Sequence, residues 1–131
     1  FEDKVAEFYG APYAVAVDCC THAVELCLRH EEPTYVTFPT RTYISIPFLG
    51  EKLDLCWFWN REMWKDYYYI GDTRIIDAAV LWKKDSYIPN TLMCLSFQFQ
   101  KHLSLGRGGM ILTDDGISLL YDPRDCTERI R

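Results

Sequence analysis

The sequence predicts an α/β fold, a mainly parallel sheet covered by helices. Three observations carry that expectation. Short apolar runs of strand type alternate along the chain with segments whose apolar residues recur at helical spacing. Several of the runs lack a polar alternation, the pattern of strands buried on both faces. The chain has 131 residues, 49% of them hydrophobic and 25% charged, which is the size and balance of one folded domain with one core.

Phe1, Val5 and Phe8 recur at helical spacing, and Gly10 with Pro12 ends that first helix. Residues 13–18, Tyr-Ala-Val-Ala-Val-Asp, form a strand-type run. Thr21 is placed to cap a helix running to about His30, with Ala23, Val24, Leu26, Cys27 and Leu28 on its buried face and Pro33 as its stop. Tyr35–Phe38 reads as a second strand. Residues 41–49 read as a short helix interrupted near Pro47 and closed by Gly50. Strand character returns at Leu53–Trp59 and Tyr67–Ile70. It recurs in the Thr73–Ala79 run, at Leu92–Phe97 and at Gly109–Thr113. No repeat, low-complexity stretch or linker divides the chain, so a single domain over 1–131 is expected.

The net charge is −5, from 14 basic and 19 acidic residues, which argues against a general nucleic-acid binder because counterion displacement needs a basic surface. Six cysteines, at 19, 20, 27, 56, 94 and 126, include an adjacent pair but no C-x-x-C, so neither a zinc ribbon nor a thioredoxin-type site is expected. Cys27, Cys56 and Cys94 lie in apolar runs, where a thiol behaves as a small hydrophobe. No apolar stretch is long enough to span a bilayer and no secretory leader is visible, so a reducing cytoplasm and no membrane partner are the expectation. His22 and His102 lack an evident third ligand, and no metal is expected.

In α/β sheets ligands gather beyond the carboxyl ends of the strands. That rule selects Asp18–Thr21, Thr40–Tyr43, Asp77 and Ser96–Lys101. Asp18-Cys-Cys-Thr-His-Ala23 is a strand-to-helix turn, where free amides and the helix dipole favour an anion, although an ordinary cap accounts for Thr21 as well. Asp77 ends an Ile-Ile run, as either a turn residue or a buried acid in need of a cationic partner. Residues 96–109, Ser-Phe-Gln-Phe-Gln-Lys-His-Leu-Ser-Leu-Gly-Arg-Gly-Gly, set a hydroxyl five residues before a lysine. Partial desolvation at a strand end lowers a lysine's pKa and frees its amine for Schiff-base chemistry; a solvated loop lysine beside a glycine turn is the alternative. The glycines at 106–109 precede a strand, whereas a nucleotide-binding glycine loop opens a helix.

Taken in order, the opening helix (Phe1-Glu-x-x-x-Ala-Glu-Phe-x-Gly10), the segment Tyr13–Leu26, Thr-Tyr43, Asp77-Ala-Ala, Ser96-Phe-x-x-x-Lys101 and Gly-x-Gly-Gly109 resemble the DegT/DnrJ/StrS family of sugar aminotransferases. The resemblance implies a shortened large domain of the aspartate-aminotransferase-like fold, the family's small domain lying outside this chain. It implies pyridoxal phosphate as cofactor, a homodimer, and amino transfer, usually from glutamate, to a keto group of a nucleotide-linked sugar. Lys101 then forms the Schiff base and moves the proton. Asp77 pairs with the pyridine nitrogen. Thr21, the amide of Cys20 and the Ser96 hydroxyl hold the phosphate, and Tyr43 stacks on the ring. The sequence departs from the family at Cys20, where glycine is usual, at Val80, where Gln or His is usual, and in the short stretch between Leu53 and Asp77. Those departures suit a second reading, a shortened homologue that keeps the fold and binds cofactor or a partner without transaminating. The aromatic stretch Trp57–Tyr69 reads as packing and dimer contact rather than sugar stacking.

Overall fold

The computed structural model describes residues 1–115; Cys126 and the remainder of the expected 1–131 domain lie outside the described residues. The order is α1 (Glu2–Tyr9), β1 (Tyr13–Val17), α2 (Cys20–Glu31), β2 (Tyr35–Pro39), α3 (Ser45–Lys52), β3 (Cys56–Asn60), β4 (Tyr68–Tyr69), β5 (Ile75–Asp77), β6 (Leu92–Ser96) and β7 (Gly109–Thr113). The strands form a five-stranded sheet, β1-β7-β6-β5-β4, and a two-stranded sheet, β2-β3.

The apolar runs have the predicted consequence. Along β5, β6 and β7 alternate residues feed two separate cores. Ile75, Leu92, Cys94 and Ile111 pack with Ala23, Val24, Cys27 and Leu28 of α2, and with Val36, Phe38, Ile46 and Leu49. Ile76, Met93, Leu95, Met110 and Leu112 pack with Val5, Ala6 and Tyr9 of α1. A strand covered on both faces has no solvent side to mark with polar residues. The α/β class therefore stands, with helices on both faces of the sheet.

Strand direction is mixed. β5 and β6 are parallel, as are β2 and β3, whereas β7 is antiparallel to β1 and β6, and β4 is antiparallel to β5. The two reversals follow from connections without a crossover helix: a tight turn closed by Ile70 N–H to Ile75 O (2.8 Å), and the glycine-bearing loop 97–108. The tight β4–β5 turn occupies the stretch that is short relative to the resembled family.

Three local expectations are corrected. The N-cap of α2 is Cys19, whose Sγ accepts from the His22 amide at 3.5 Å, and Thr21 lies inside the first turn. Pro47 does not interrupt α3; it is the third residue of the first turn, where its missing N–H has no intrahelical partner to lose. Gly50 does not end α3 but lies within it. A Cβ there would meet the Trp57 indole at 2.6 Å, so the glycine serves helix–strand packing. Gly10 does cap α1, in the left-handed region at φ 74°.

Glu25 on α2 is 2% exposed and is held by Arg29 (2.8 Å) and by Lys52 of α3 (2.8 Å). Burial alone pushes its carboxyl up; hydrogen bonds and charge from Lys52 and Arg29 outweigh this and hold it below the usual range. Among the described residues no helix is long and apolar enough to cross a membrane.

A carboxyl held below its unfolded value contributes stability that is full at neutral pH and lost as pH falls through the folded value. Glu25→Gln is expected to cost about 1–3 kcal/mol at neutral pH. In urea titrations the difference from wild type shrinks toward about pH 4, the carboxylate range.

Candidate functional site

The two-core alternation determines which side chains reach the site. Asp77 has the parity of Ile75, and Ser96 that of Leu92 and Cys94, so both belong to the α2 face at the carboxyl ends of the parallel pair β5 and β6. Asp77 is 7% exposed. Its Oδ2 accepts from the Tyr68 hydroxyl at 2.7 Å and its Oδ1 from the Ala79 amide at 3.1 Å, while the Cys20 thiol lies 4.0 Å from Oδ1. Burial pushes the Asp77 carboxyl above its ordinary value. Tyr68, the Ala79 N–H and the positive charge of Lys101 act against that rise without cancelling it. Burial pushes the Cys20 thiol well up too, with the Asp77 charge adding to the effect, so Cys20 stays protonated and does not become a second anion.

The start of α2 is seated on β7 by a backbone contact that only glycine permits. A Cβ on Gly109 would lie 2.4 Å from the Cys19 carbonyl carbon and 2.6 Å from the Cys20 amide nitrogen. The Cys20 side chain is 9% exposed and packs inward beside Asp77, leaving its backbone at the helix start clear of its own thiol. Thr21 Oγ1 shares a 2.8 Å hydrogen bond with Ser45 Oγ, which ties α2 to the first turn of α3.

Asp18 bonds the His22 imidazole and, at 3.2 Å, the Arg107 guanidinium from the glycine-bearing loop. These partners overcome the effect of burial and lower the Asp18 carboxyl. Ligand-type atoms of Asp18, Cys19 and His22 lie within 4.8 Å of one another, so His22 has neighbours that its sequence context did not reveal. The cation of Arg107 and the positive end of the α2 dipole face the same spot and favour an anion over a metal ion.

One cavity of about 610 Å³ is lined by all six residues singled out from sequence: Cys20, Thr21, Tyr43, Asp77, Ser96 and Lys101. Its size falls within the range of roughly 300–1,000 Å³ common for small-molecule sites. A second hollow of about 440 Å³ adjoins it through Tyr43, Asp77, Ala79 and Lys101, and is bounded by Trp64 and Val80. Lys101 follows a turn closed by its own N–H to Gln98 O at 2.9 Å, five residues beyond the last residue of β6. Sequence reasoning missed Tyr68, Ser45 and Arg107. Tyr68 was masked within the run Tyr67–Tyr69, where nothing distinguishes the middle ring. The strand parity that buries Tyr68 while leaving Tyr69 exposed was its one signal.

No protein-family model and no curated protein matches the chain. Solved structures do. A 3-amino-5-hydroxybenzoic acid synthase superposes with TM-score 0.69 at 22% identity, covering 89% of this chain and 42% of its own. DesI, crystallised in the presence of its TDP-sugar product, gives 0.72 at 17% identity, with coverages of 95% and 42%. DesV of S. venezuelae, in complex with a ketimine intermediate, gives 0.66 at 16% identity, with coverages of 99% and 45%. The chain thus spans less than half the length of these structures and shares their fold. The described residues form a small α/β domain with a mixed sheet whose fold matches part of these structures, and at these identities the likeness is one of fold alone.

Asp77→Asn tests the cost of the buried acid. A carboxyl whose folded value lies above its unfolded one destabilises the fold once ionised and does not below the unfolded value. The variant is expected to raise the thermal midpoint at neutral pH by a few degrees, roughly 3–5 °C for each kcal/mol recovered in a chain of this length. The Tyr68 hydroxyl can turn to accept from the new amide. Calorimetry at neutral pH and near pH 4 checks the sign, since the gain vanishes where Asp77 is itself protonated.

Proposed function

We propose that this chain is a pyridoxal-phosphate-dependent, aminotransferase-like protein related to amino transfer from glutamate to a nucleotide-linked keto sugar. The observation that carries the reading is the convergence of Thr21, Tyr43, Asp77, Ser96 and Lys101 from four separate segments on one cavity. The donor set fits the group. A buried carboxylate suits a ring nitrogen that carries a proton. Hydroxyls and free amides at a helix start suit a phosphate, and a lysine suits a carbonyl carbon. Cys20 stands where the resembled family usually has glycine, and its side chain packs inward beside Asp77.

Bound pyridoxal phosphate supplies an electron sink for the carbon that loses or gains the amino group. Lys101 Nζ would hold the cofactor through its carbonyl carbon and is the basic group placed at the cavity to take up or release a proton. Asp77 would hold a protonated ring nitrogen, and Tyr43, with its ring exposed at the cavity, would pack against the cofactor ring. The Cys20 amide and the Thr21 and Ser96 hydroxyls would hold the phosphate, with the α2 dipole adding to the attraction. A homodimer agrees with the exposed aromatics Phe58 and Trp59 on β3, which among the described residues pairs with β2 alone. The buried thiols of Cys27 and Cys94 suit a reducing cytoplasm.

One residue favours the second reading, a cofactor-binding chain that does not transaminate. Val80, 44% exposed beside the second hollow, offers no polar atom where the resembled family places Gln or His.

Mixing the purified chain with pyridoxal phosphate is expected to give a near-visible absorption band that borohydride fixes onto Lys101 and that Lys101→Ala lacks. Identical spectra for the two proteins overturn the cofactor reading. Bleaching of the band by glutamate favours the transaminase, and a band indifferent to every amino donor favours the second reading.

A further inference from the structure

Tyr68 belongs to no motif of the resembled pattern, and it stands on the two-residue strand β4 within the short stretch between Leu53 and Asp77. Its ring is 2% exposed and packs on Trp64 at 4.9 Å between centroids. Its hydroxyl donates to Asp77 Oδ2 at 2.7 Å and lies 2.5 Å from Thr42 Oγ1. A phenol has one hydrogen, so donation to Asp77 obliges Thr42 to be the donor in the second bond. The result is a directed chain, Thr42 to Tyr68 to Asp77, and Thr42 immediately precedes Tyr43, which lines the cavity. Register reinforces the placement: Tyr68 is the β4 residue paired opposite Asp77 on β5.

We propose that Tyr68 is the positioning residue of this site, its hydroxyl holding one oxygen of Asp77 so that the other faces the cavity, and its bond to Thr42 fixing the loop that presents Tyr43. The inference rests on the proposed cofactor role of Asp77. The groups facing Asp77 are Tyr68 from β4, Cys20 from α2, Cys94 from β6 and Lys101 from the loop beyond β6. Cys20 and Cys94 are thiols held protonated by burial. Among the described residues Tyr68 is therefore the one neutral side chain that donates to Asp77 at normal hydrogen-bond length, and Lys101 is the one cation whose charge acts on it. Removal of the phenol hydroxyl takes from Oδ2 the side-chain donor it has among the described residues, in a buried setting where an unmatched carboxylate is costly.

The test compares the full wild-type chain with Tyr68→Phe and Thr42→Val, with folding verified by circular dichroism. The Asp77 carboxyl midpoint is read by carbon-13 NMR on the cofactor-free chain, and pyridoxal phosphate affinity by fluorescence titration. Tyr68→Phe is expected to move the Asp77 midpoint upward and to weaken pyridoxal phosphate roughly tenfold to hundredfold. Thr42→Val shifts the midpoint in the same direction by less. A folded Tyr68→Phe with an unchanged midpoint overturns the proposal; should that variant fail to fold, an unchanged midpoint in Thr42→Val does so. If the wild type takes up no pyridoxal phosphate, the cofactor reading fails by itself, and the Asp77 midpoint in the cofactor-free proteins still decides the role of Tyr68.

Discussion

A carboxylate buried at the end of a three-residue strand is the constraint around which this site is arranged. Asp77 has little water to solvate it, so its ionised form depends on what the fold brings within reach: a phenol from β4, an amide two residues along, and a lysine from beyond β6. Each comes from a different part of the chain: strand β4, the residues that follow β5, and the loop between β6 and β7. The parallel pairing of β5 with β6 sets Asp77 opposite Cys94, and the loop following β6 then returns Lys101 to the same end of the sheet. A fold that buries an acid and only partly compensates it gives up stability at that point, which is the usual signature of a group kept for chemistry or binding.

Backbone proximity completes the arrangement on the other side of the cavity. Gly109 lets α2 start in contact with β7, and that contact sets the Cys20 and Thr21 amides beside Ser96 and Lys101. The Thr21–Ser45 bond and the Glu25–Lys52 ion pair then hold α2 to α3 near both ends of the interface. Tyr43, on the loop leading into α3, accepts the Ile46 N–H on its carbonyl at 3.0 Å.

Much of this was legible in the sequence, for definite reasons. Apolar runs without alternation marked strands covered on both faces, and the two cores of β5, β6 and β7 account for them residue by residue. Strand ends located the cavity, because parallel strands leave their carboxyl ends open to ligands. What the sequence concealed depended on tertiary geometry. Pro47 and Gly50 looked like breaks in α3, yet one falls where a proline costs no hydrogen bond and the other where an indole needs the space. Thr21 looked like a cap, but the thiol of Cys19 holds that position. Tyr68 was indistinguishable from its neighbours until the β4–β5 pairing set it against Asp77.

The most direct test of the account is a crystal structure of the chain grown with pyridoxal phosphate. It is expected to show density continuous with Lys101 Nζ, the phosphate at the start of α2 beside Thr21 and Ser96, and the ring nitrogen against Asp77. Cofactor found only on surface lysines such as Lys83 or Lys84, with the Asp77 cavity empty, would contradict it.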